Sequence, residues 1–325
     1  MRILSIDGGG YLGLASAALL AEFERHFGAS CHDRFDLFCG TSTGAIIALA
    51  LAADMRAAEV VALYKRIGPV VFPTRSSIVR TARKYTFGVF RSQYQNQGLA
   101  RALHETFQEL TLGDIMARGK LALIAAYNDS SGMPRLFKTD HADGLSAHRQ
   151  YRLCDIALAN SAAPKYLTAV ELKRPGTGEI ERFCDGGLFA NSPALLGYAE
   201  AVYHLRTPPS DISILSVATP RASQAQRASA SKSHKRLNRG LLSWIRATNV
   251  MVDASSTIAH FALERIVGAL GNGDDRYVRL TISRPTGVDL DVATVDATES
   301  LLQVGTECAQ DNGTRRKVAC FFNRN

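Results

Sequence analysis

The pentapeptide Gly40-Thr41-Ser42-Thr43-Gly44 sets a serine between two threonines and two glycines. An apolar run, FDLFC (35–39), stops just before it, and a second, AIIALALAA (45–53), follows. A sharp strand-to-helix turn with serine at its apex strains the backbone and crowds the flanking side chains. Glycines two before and two after relieve that crowding, which is the G-x-S-x-G nucleophile elbow. The turn also sets Ser42 at a helix N-terminus, whose partial positive charge favours a developing oxyanion. Without flanking strand and helix the same five residues would be a small-residue turn, so the context carries the reading.

A serine nucleophile needs a base. The chain has eight histidines, and none sits in a catalytic motif; His104 and His260 fall on helical stretches that suit solvated or core imidazoles. A carboxylate is the alternative. In CDGGLFANSP an expected strand over 179–184 leads into Asp185-Gly-Gly and then a helical pattern. A strand-end carboxylate facing a strand-end serine can accept its proton directly, although Asp-Gly is also an ordinary turn pair. The first glycine cluster, DGGG at 7–10, has two readings. Gly8, Gly10 and Gly13 satisfy G-x-G-x-x-G after a strand, as dinucleotide binding requires, but the second strand then ends in the serine elbow rather than in a ribose-binding acid. Alternatively, consecutive glycine N–H groups form an oxyanion hole.

These residues must be positioned by alternating elements. Residues 2–6 read as a buried first strand, 12–26 as a helix, and 35–39 as a second strand. Residues 45–53 start a buried helix that continues as an amphipathic one over 57–65. Further strands are expected at 121–127, 135–139, 179–184, 212–218 and 276–282. Strand and helix alternating in this rhythm give an α/β fold with a largely parallel sheet covered by helices.

The 325 residues are 46% hydrophobic and 21% charged, ordinary for a globular chain with a sizeable core. The net charge of +8 favours anionic partners such as phospholipid surfaces, nucleotides or nucleic acid, without choosing among them. Six scattered cysteines without CxxC argue against a zinc site or a disulfide framework. The N-terminus lacks a signal-peptide pattern, and no apolar run has the length of a membrane span, so a cytoplasmic protein is expected. Between residues 60 and 104 there is no acid, while arginines, lysines and aromatics interleave. The tract RASQAQRASASKSHKRLNRG (221–240) is basic and low in complexity, and is expected to be a mobile surface loop.

DGGGYLG near residue 10, GTSTG near 42, ALANSAAPKYL (157–167) and DGGLFANSP at 185 together, in this order, resemble the patatin-like phospholipases. The likeness runs on through YNDSSGMPRLFKTDH (127–141), ISILSVA (212–218) and DDRYVRLTI (274–282). It implies a single patatin-like domain over 1–325, a three-layer sandwich with a largely parallel central sheet between helices. In this family Ser42 would be the nucleophile and Asp185 its base, a dyad without histidine. Gly8, Gly9 and Gly10 would supply the oxyanion hole, and no metal or cofactor would be needed. The implied activity is a phospholipase A type lipid acyl hydrolase acting through an acyl-serine at the inner face of a bacterial membrane. The likeness looks closest to bacterial patatin-like effectors of anti-phage signalling. That implies a cyclic oligonucleotide activator, scope for homo-oligomeric assembly and no nucleic acid polymer as partner.

The basic, aromatic region at about 66–104 would then be a cap meeting lipid phosphates, or with 221–240 would bind the nucleotide. Two positions depart from the family pattern. Leu12 stands where relatives carry Lys or Arg, leaving Arg2 or the 65–101 basic set to meet phosphate. Ala218-Thr219-Pro220 replaces a small G-T-G after a later strand. Two rival readings remain at this level: a Ser-Asp-His esterase closed by His260, and a nucleotide-binding regulatory module with a vestigial GTSTG.

Overall fold

The computed structural model describes residues 1–72, 96–164, 166–222, 248–269 and 276–323. Eight strands, β1 (Arg2–Ile6), β2 (Leu37–Gly40), β3 (Leu121–Asn128), β4 (Met133–Lys138), β5 (Val170–Lys173), β6 (Ile180–Asp185), β7 (Ser213–Val217) and β8 (Tyr277–Leu280), form one sheet. In the first part of the chain the helices are α1 (Gly13–Phe27), α2 (Cys31–Arg34), α3 (Thr43–Ala52), α4 (Ala57–Val71), α5 (Gln97–Phe107) and α6 (Leu112–Ala117). They are followed by α7 (Leu153–Asn160), α8 (Gly187–Ala190), α9 (Ala194–Tyr203), α10 (Thr248–Ala269), α11 (Val295–Gln310) and α12 (Asn312–Phe322).

The strand order is β5-β6-β3-β2-β1-β7-β8, with β4 also paired to β3. From β3 to β8 the neighbours are parallel; β4, β6 and β5 join antiparallel. Alternation along the strands sorts side chains onto two faces, as the period of two requires. Leu4, Ile6, Phe38, Ile124 and Leu215 face one core, with residues of α1, α3 and α4. Ile3, Leu37, Leu123 and Ile214 face the other, with Ala194 and Ala201 of α9 and Leu263 of α10. Helices therefore cover both faces of the sheet, the three-layer arrangement that the resemblance implies.

One feature of register matters for function. Along one edge of β3, β4 pairs with Leu123 through Asn128. On the opposite edge β2 reaches only Ile124, where it ends at Gly40, and β6 comes the other way and ends with Asp185 opposite Ala126. Because β2 is parallel to β3 and β6 antiparallel, the two strands run head-on toward each other. Their C-terminal ends stop on either side of Ala125.

The seven strands expected from the sequence are all present within a few residues of the expected bounds, five of them (β1, β2, β3, β7 and β8) in the parallel part of the sheet. Two points differ. The helix expected to run on from 45 to 65 is two helices: α3 ends at Ala52, Asp54 takes φ 73°, and α4 restarts at Ala57. The Glu59 carboxylate accepts the Arg56 N–H at 2.8 Å and fixes that new start. Strand β5 was not anticipated. Of the basic cap-like region at 66–104, residues 73–95 lie outside the described residues; its flanks belong to α4 and α5. Of the basic tract 221–240, only Arg221 and Ala222 are described.

Candidate active site

Ser42 sits at the apex between β2 and α3 with φ 54° and ψ −128°. This is a conformation that costs a non-glycine residue about 1–3 kcal/mol and persists only where its surroundings impose it. Those surroundings are tight. A Cβ at Gly40 would come 2.5 Å from the Ala45 Cα, and one at Gly44 would collide with the carbonyls of Ile6 and Asp7. The glycines of the elbow thus let α3 cross directly over the ends of β1 and β2. The ten residues of α3 are all buried, so the helix is held by packing on every side. Thr41 donates its hydroxyl to the Ala190 carbonyl at 2.7 Å. The Tyr64 hydroxyl meets the Thr43 hydroxyl and donates to the Thr43 carbonyl at 2.9 Å.

The head-on strands bring Asp185 to this serine. The Ser42 side chain faces the Asp185 carboxylate, and the Gly187 N–H donates to Asp185 Oδ1 at 2.7 Å. Burial raises the Asp185 pKa to about 6, and the nearby Ser42 hydroxyl and the Gly187 N–H pull the other way without cancelling it. The side chains are nearly enclosed, at 9% and 5% exposure. The carboxylate is thus within one hydrogen bond of the hydroxyl proton and basic enough to take it.

The glycine loop lies against the same serine: a Cβ on Gly8 would stand 3.1 Å from the Ser42 Cβ. The expectation that Gly8, Gly9 and Gly10 all donate to an oxyanion needs correction at Gly8. Its N–H donates to the Asn191 carbonyl at 3.0 Å, and the Tyr11 N–H donates to Leu290 at 2.8 Å. Among the described residues the Gly9 and Gly10 N–H groups donate to no protein acceptor. Gly10, with φ 57°, lines the cleft beside Ser42. Thr219, at one of the departures from the family pattern, buttresses the loop by donating its hydroxyl to the Gly8 carbonyl at 2.6 Å. Beneath the loop, fully buried Asp7 is gripped by Arg279 and, at 3.2 Å, by Arg221. Arg279 also donates to Ser216 at 2.6 Å and to Ser192 at 3.3 Å, tying β1, β7 and the start of α9 together.

An apolar cleft opens from Ser42. Ile46 of α3, Ile67 and Val71 of α4, Leu99 of α5 and Leu167 wall it. Its apolar lining suits a hydrocarbon chain beside one reacting polar group.

Other candidates are elsewhere. His260 pairs its Nδ1 with the Tyr277 hydroxyl at 3.0 Å, and burial, with the nearby Arg279 cation, lowers its pKa. Among the described residues this imidazole makes no hydrogen bond to Ser42 or Asp185, so the structure gives no support to a triad closed by His260. Arg2 begins β1, roughly 13 Å from its far end, and reaches toward the Phe321 carbonyl at 3.4 Å, so it does not replace the missing family cation. Leu12 is buried in the core. Among the described residues, His104, Cys154 and Asp155 bring possible metal-ligand atoms within 4.8 Å. The Arg152 guanidinium already lies 3.2 Å from His104 Nδ1 and 2.8 Å from Glu109, supplying the positive charge there. Asn160 was missed as a site residue. Its side chain accepts the Ser42 N–H and donates to the Ala125 carbonyl. A polar residue closing the apolar run ALA before SAAP was its only signal in the sequence.

Comparison with known proteins gives a family match and full-length relatives. The family model described as "Patatin-like phospholipase" matches residues 4–198. A "cGAMP-activated phospholipase" of Pseudomonas aeruginosa is 33% identical, covering 95% of this chain and 88% of the relative. Another of that name from Vibrio cholerae is 31% identical, covering 99% and 94%. "Patatin-like protein 2" of Arabidopsis thaliana is 27% identical, covering 100% and 86%. With a serine elbow, a facing carboxylate and an apolar cleft in one place, this chain belongs to the patatin-like phospholipase family and is a lipid acyl hydrolase.

Proposed function

We propose that Ser42 and Asp185 form the catalytic dyad of a phospholipase A type reaction, with Gly9 and Gly10 as oxyanion donors. The observation that carries this is the meeting of the Ser42 elbow with a buried carboxylate, brought head-on by β2 and β6, beside an apolar cleft. Asp185 takes the hydroxyl proton as Ser42 Oγ attacks the ester carbonyl carbon. The carbonyl oxygen becomes an oxyanion and is met by the N–H groups of Gly9 and Gly10. The intermediate collapses as Asp185 returns its proton to the departing lysolipid alkoxide, leaving an acyl-serine. Asp185 then takes a proton from water, which attacks the acyl carbon, and gives it back to Ser42. The fatty acid is released. The acyl chain occupies the cleft walled by α4 and α5.

The substrate-bearing surface is read as the inner leaflet of a bacterial membrane, met peripherally. Among the described residues no helix is long and apolar enough to cross a bilayer. The net charge of +8 supports attraction to anionic lipid. A cyclic dinucleotide is proposed as activator because two relatives covering nearly the whole chain are named for activation by cGAMP. The test is release of fatty acid from mixed phospholipid liposomes, with and without a panel of cyclic dinucleotides, by wild type, Ser42→Ala and Asp185→Asn. Activity is expected only in wild type. Turnover by either variant at wild-type rate would remove the dyad, and turnover indifferent to every nucleotide would remove the activator.

A further inference from the structure

We propose that Asn160, at the C-terminal end of α7, is the positioning residue that sets the separation and orientation of the Ser42 hydroxyl and the Asp185 carboxylate. The proposal rests on the dyad reading and adds what holds the two groups together.

The head-on arrangement of β2 and β6 creates a structural problem. Gly40 pairs with Ile124 and Asp185 with Ala126, so Ala125 lies where one strand has stopped and the other has not begun. Its carbonyl would be left without a ladder partner. Ser42 has the complementary problem: at φ 54° its N–H belongs to neither strand nor helix. Both groups are enclosed, and an unpaired buried polar group is costly. Asn160 answers both. Its Nδ2 donates to the Ala125 carbonyl and its Oδ1 accepts the Ser42 N–H. A carboxamide carries the same donor and acceptor as a peptide unit, so one side chain stands in for the missing piece of strand.

The same segment also holds the base. The Asp185 N–H donates to the Ala162 carbonyl at 3.1 Å. Asn160 is completely buried, and the following Ser161 is tied back to the Ala157 carbonyl by its hydroxyl at 2.7 Å. Three consecutive residues at one helix end therefore hold the backbone of the nucleophile through a side chain and that of the base through a carbonyl. Gly186 completes the fit, because a Cβ there would strike the Ala125 carbonyl that Asn160 occupies. Moving Asn160 moves Ser42 relative to Asp185, and proton transfer depends steeply on that distance.

Two nearly isosteric variants test this, Asn160→Leu and Asn160→Asp. The first removes both hydrogen bonds. The second keeps an acceptor for Ser42 and loses the donor to Ala125. Each is assayed on a soluble p-nitrophenyl acyl ester and by the rate of fluorophosphonate labelling of Ser42, under the condition that gives wild-type activity. In both, kcat is expected to fall roughly 10- to 100-fold with KM changed less than threefold, and labelling should slow in parallel. Asn160→Asp should also move the pH–rate midpoint upward, since a second carboxylate disfavours ionisation of Asp185. A residue that only fills space would lower thermal stability without splitting kcat from KM or moving that midpoint. Hydrogen exchange on the wild-type protein gives an independent measure, with the Ser42 amide expected to be as protected as the amides of β1. A folded variant with kcat within twofold of wild type overturns the proposal, as does rapid exchange of the Ser42 amide; if neither variant folds, exchange decides. Ser42→Ala and Asp185→Asn are run alongside. If they keep activity, the dyad itself fails; if they are inactive while the Asn160 variants run at full rate, only the positioning role fails.

Discussion

In the proposed dyad, the Asp185 carboxyl bears on both catalysis and stability. Its pKa, raised to about 6 by burial, means that the reactive, ionised form grows as pH rises through that value. The rate on a soluble ester should therefore climb tenfold per pH unit below about 6 and level off above it, read as a kcat/KM profile. Linkage sets the sign for stability. A folded-state pKa above the unfolded one favours the protonated form, so Asp185 stabilises the fold at low pH and loses that contribution as pH rises through about 6. Asp185→Asn should be more stable than wild type at pH 8 by up to about 3 kcal/mol, a difference that shrinks to nothing toward pH 4; urea melts at the two pH values measure it. Ser42 and Asp185 were legible in the sequence because strand-end motifs announce themselves by apolar runs that stop. The fate of the Gly8 N–H was not, because Asn191 is its acceptor only after β1 and α8 meet.

Among the elements, α3 and α4 carry the site, and their tolerances are specific. A methyl at Gly44 would drive into the carbonyls of Ile6 and Asp7. Gly44→Ala is expected to lower unfolding free energy by about 1–3 kcal/mol and to reduce fluorophosphonate labelling, both measurable on the purified protein. Val71→Trp, on the cleft wall, should shift preference toward short acyl chains. The ratio of kcat/KM for a hexadecanoyl over a butanoyl ester should fall at least tenfold; an unchanged ratio would show that the chain does not lie against α4. Long buried strands such as β1, β3 and β7 were legible from their apolar runs. Strand β5 was not: Val170 and Leu172 alternate with Glu171 and Lys173 over four residues, too short and too polar to separate from a loop. Nor did the sequence show the break between α3 and α4, since apolar spacing resumes after the left-handed Asp54.

For the whole molecule, the proposed docking on a membrane surface rests on charge. With a net charge of +8, binding to vesicles containing anionic lipid should weaken by at least tenfold between about 50 and 500 mM salt as screening shortens the range of attraction. Sedimentation with vesicles measures this, and an affinity indifferent to salt would assign docking to apolar contact instead. The overall α/β class was legible from the alternation of strands and helices, and the three-layer plan was implied by the family resemblance. The antiparallel half of the sheet was less so, because pairing direction for β6 depends on chain reversal far from the strand itself.

The meeting of β2 and β6 end to end on β3 has a consequence for the cell that makes this lipase. Nucleophile and base come from opposite halves of the sheet, and neither half contains a working hydrolase. A chain still emerging from the ribosome, or one whose later strands have come loose, carries an inert alcohol. On the proposed dyad, hydrolysis of lipid becomes possible only once β2 and β6 are both seated on β3, so assembly itself serves as a first safety catch.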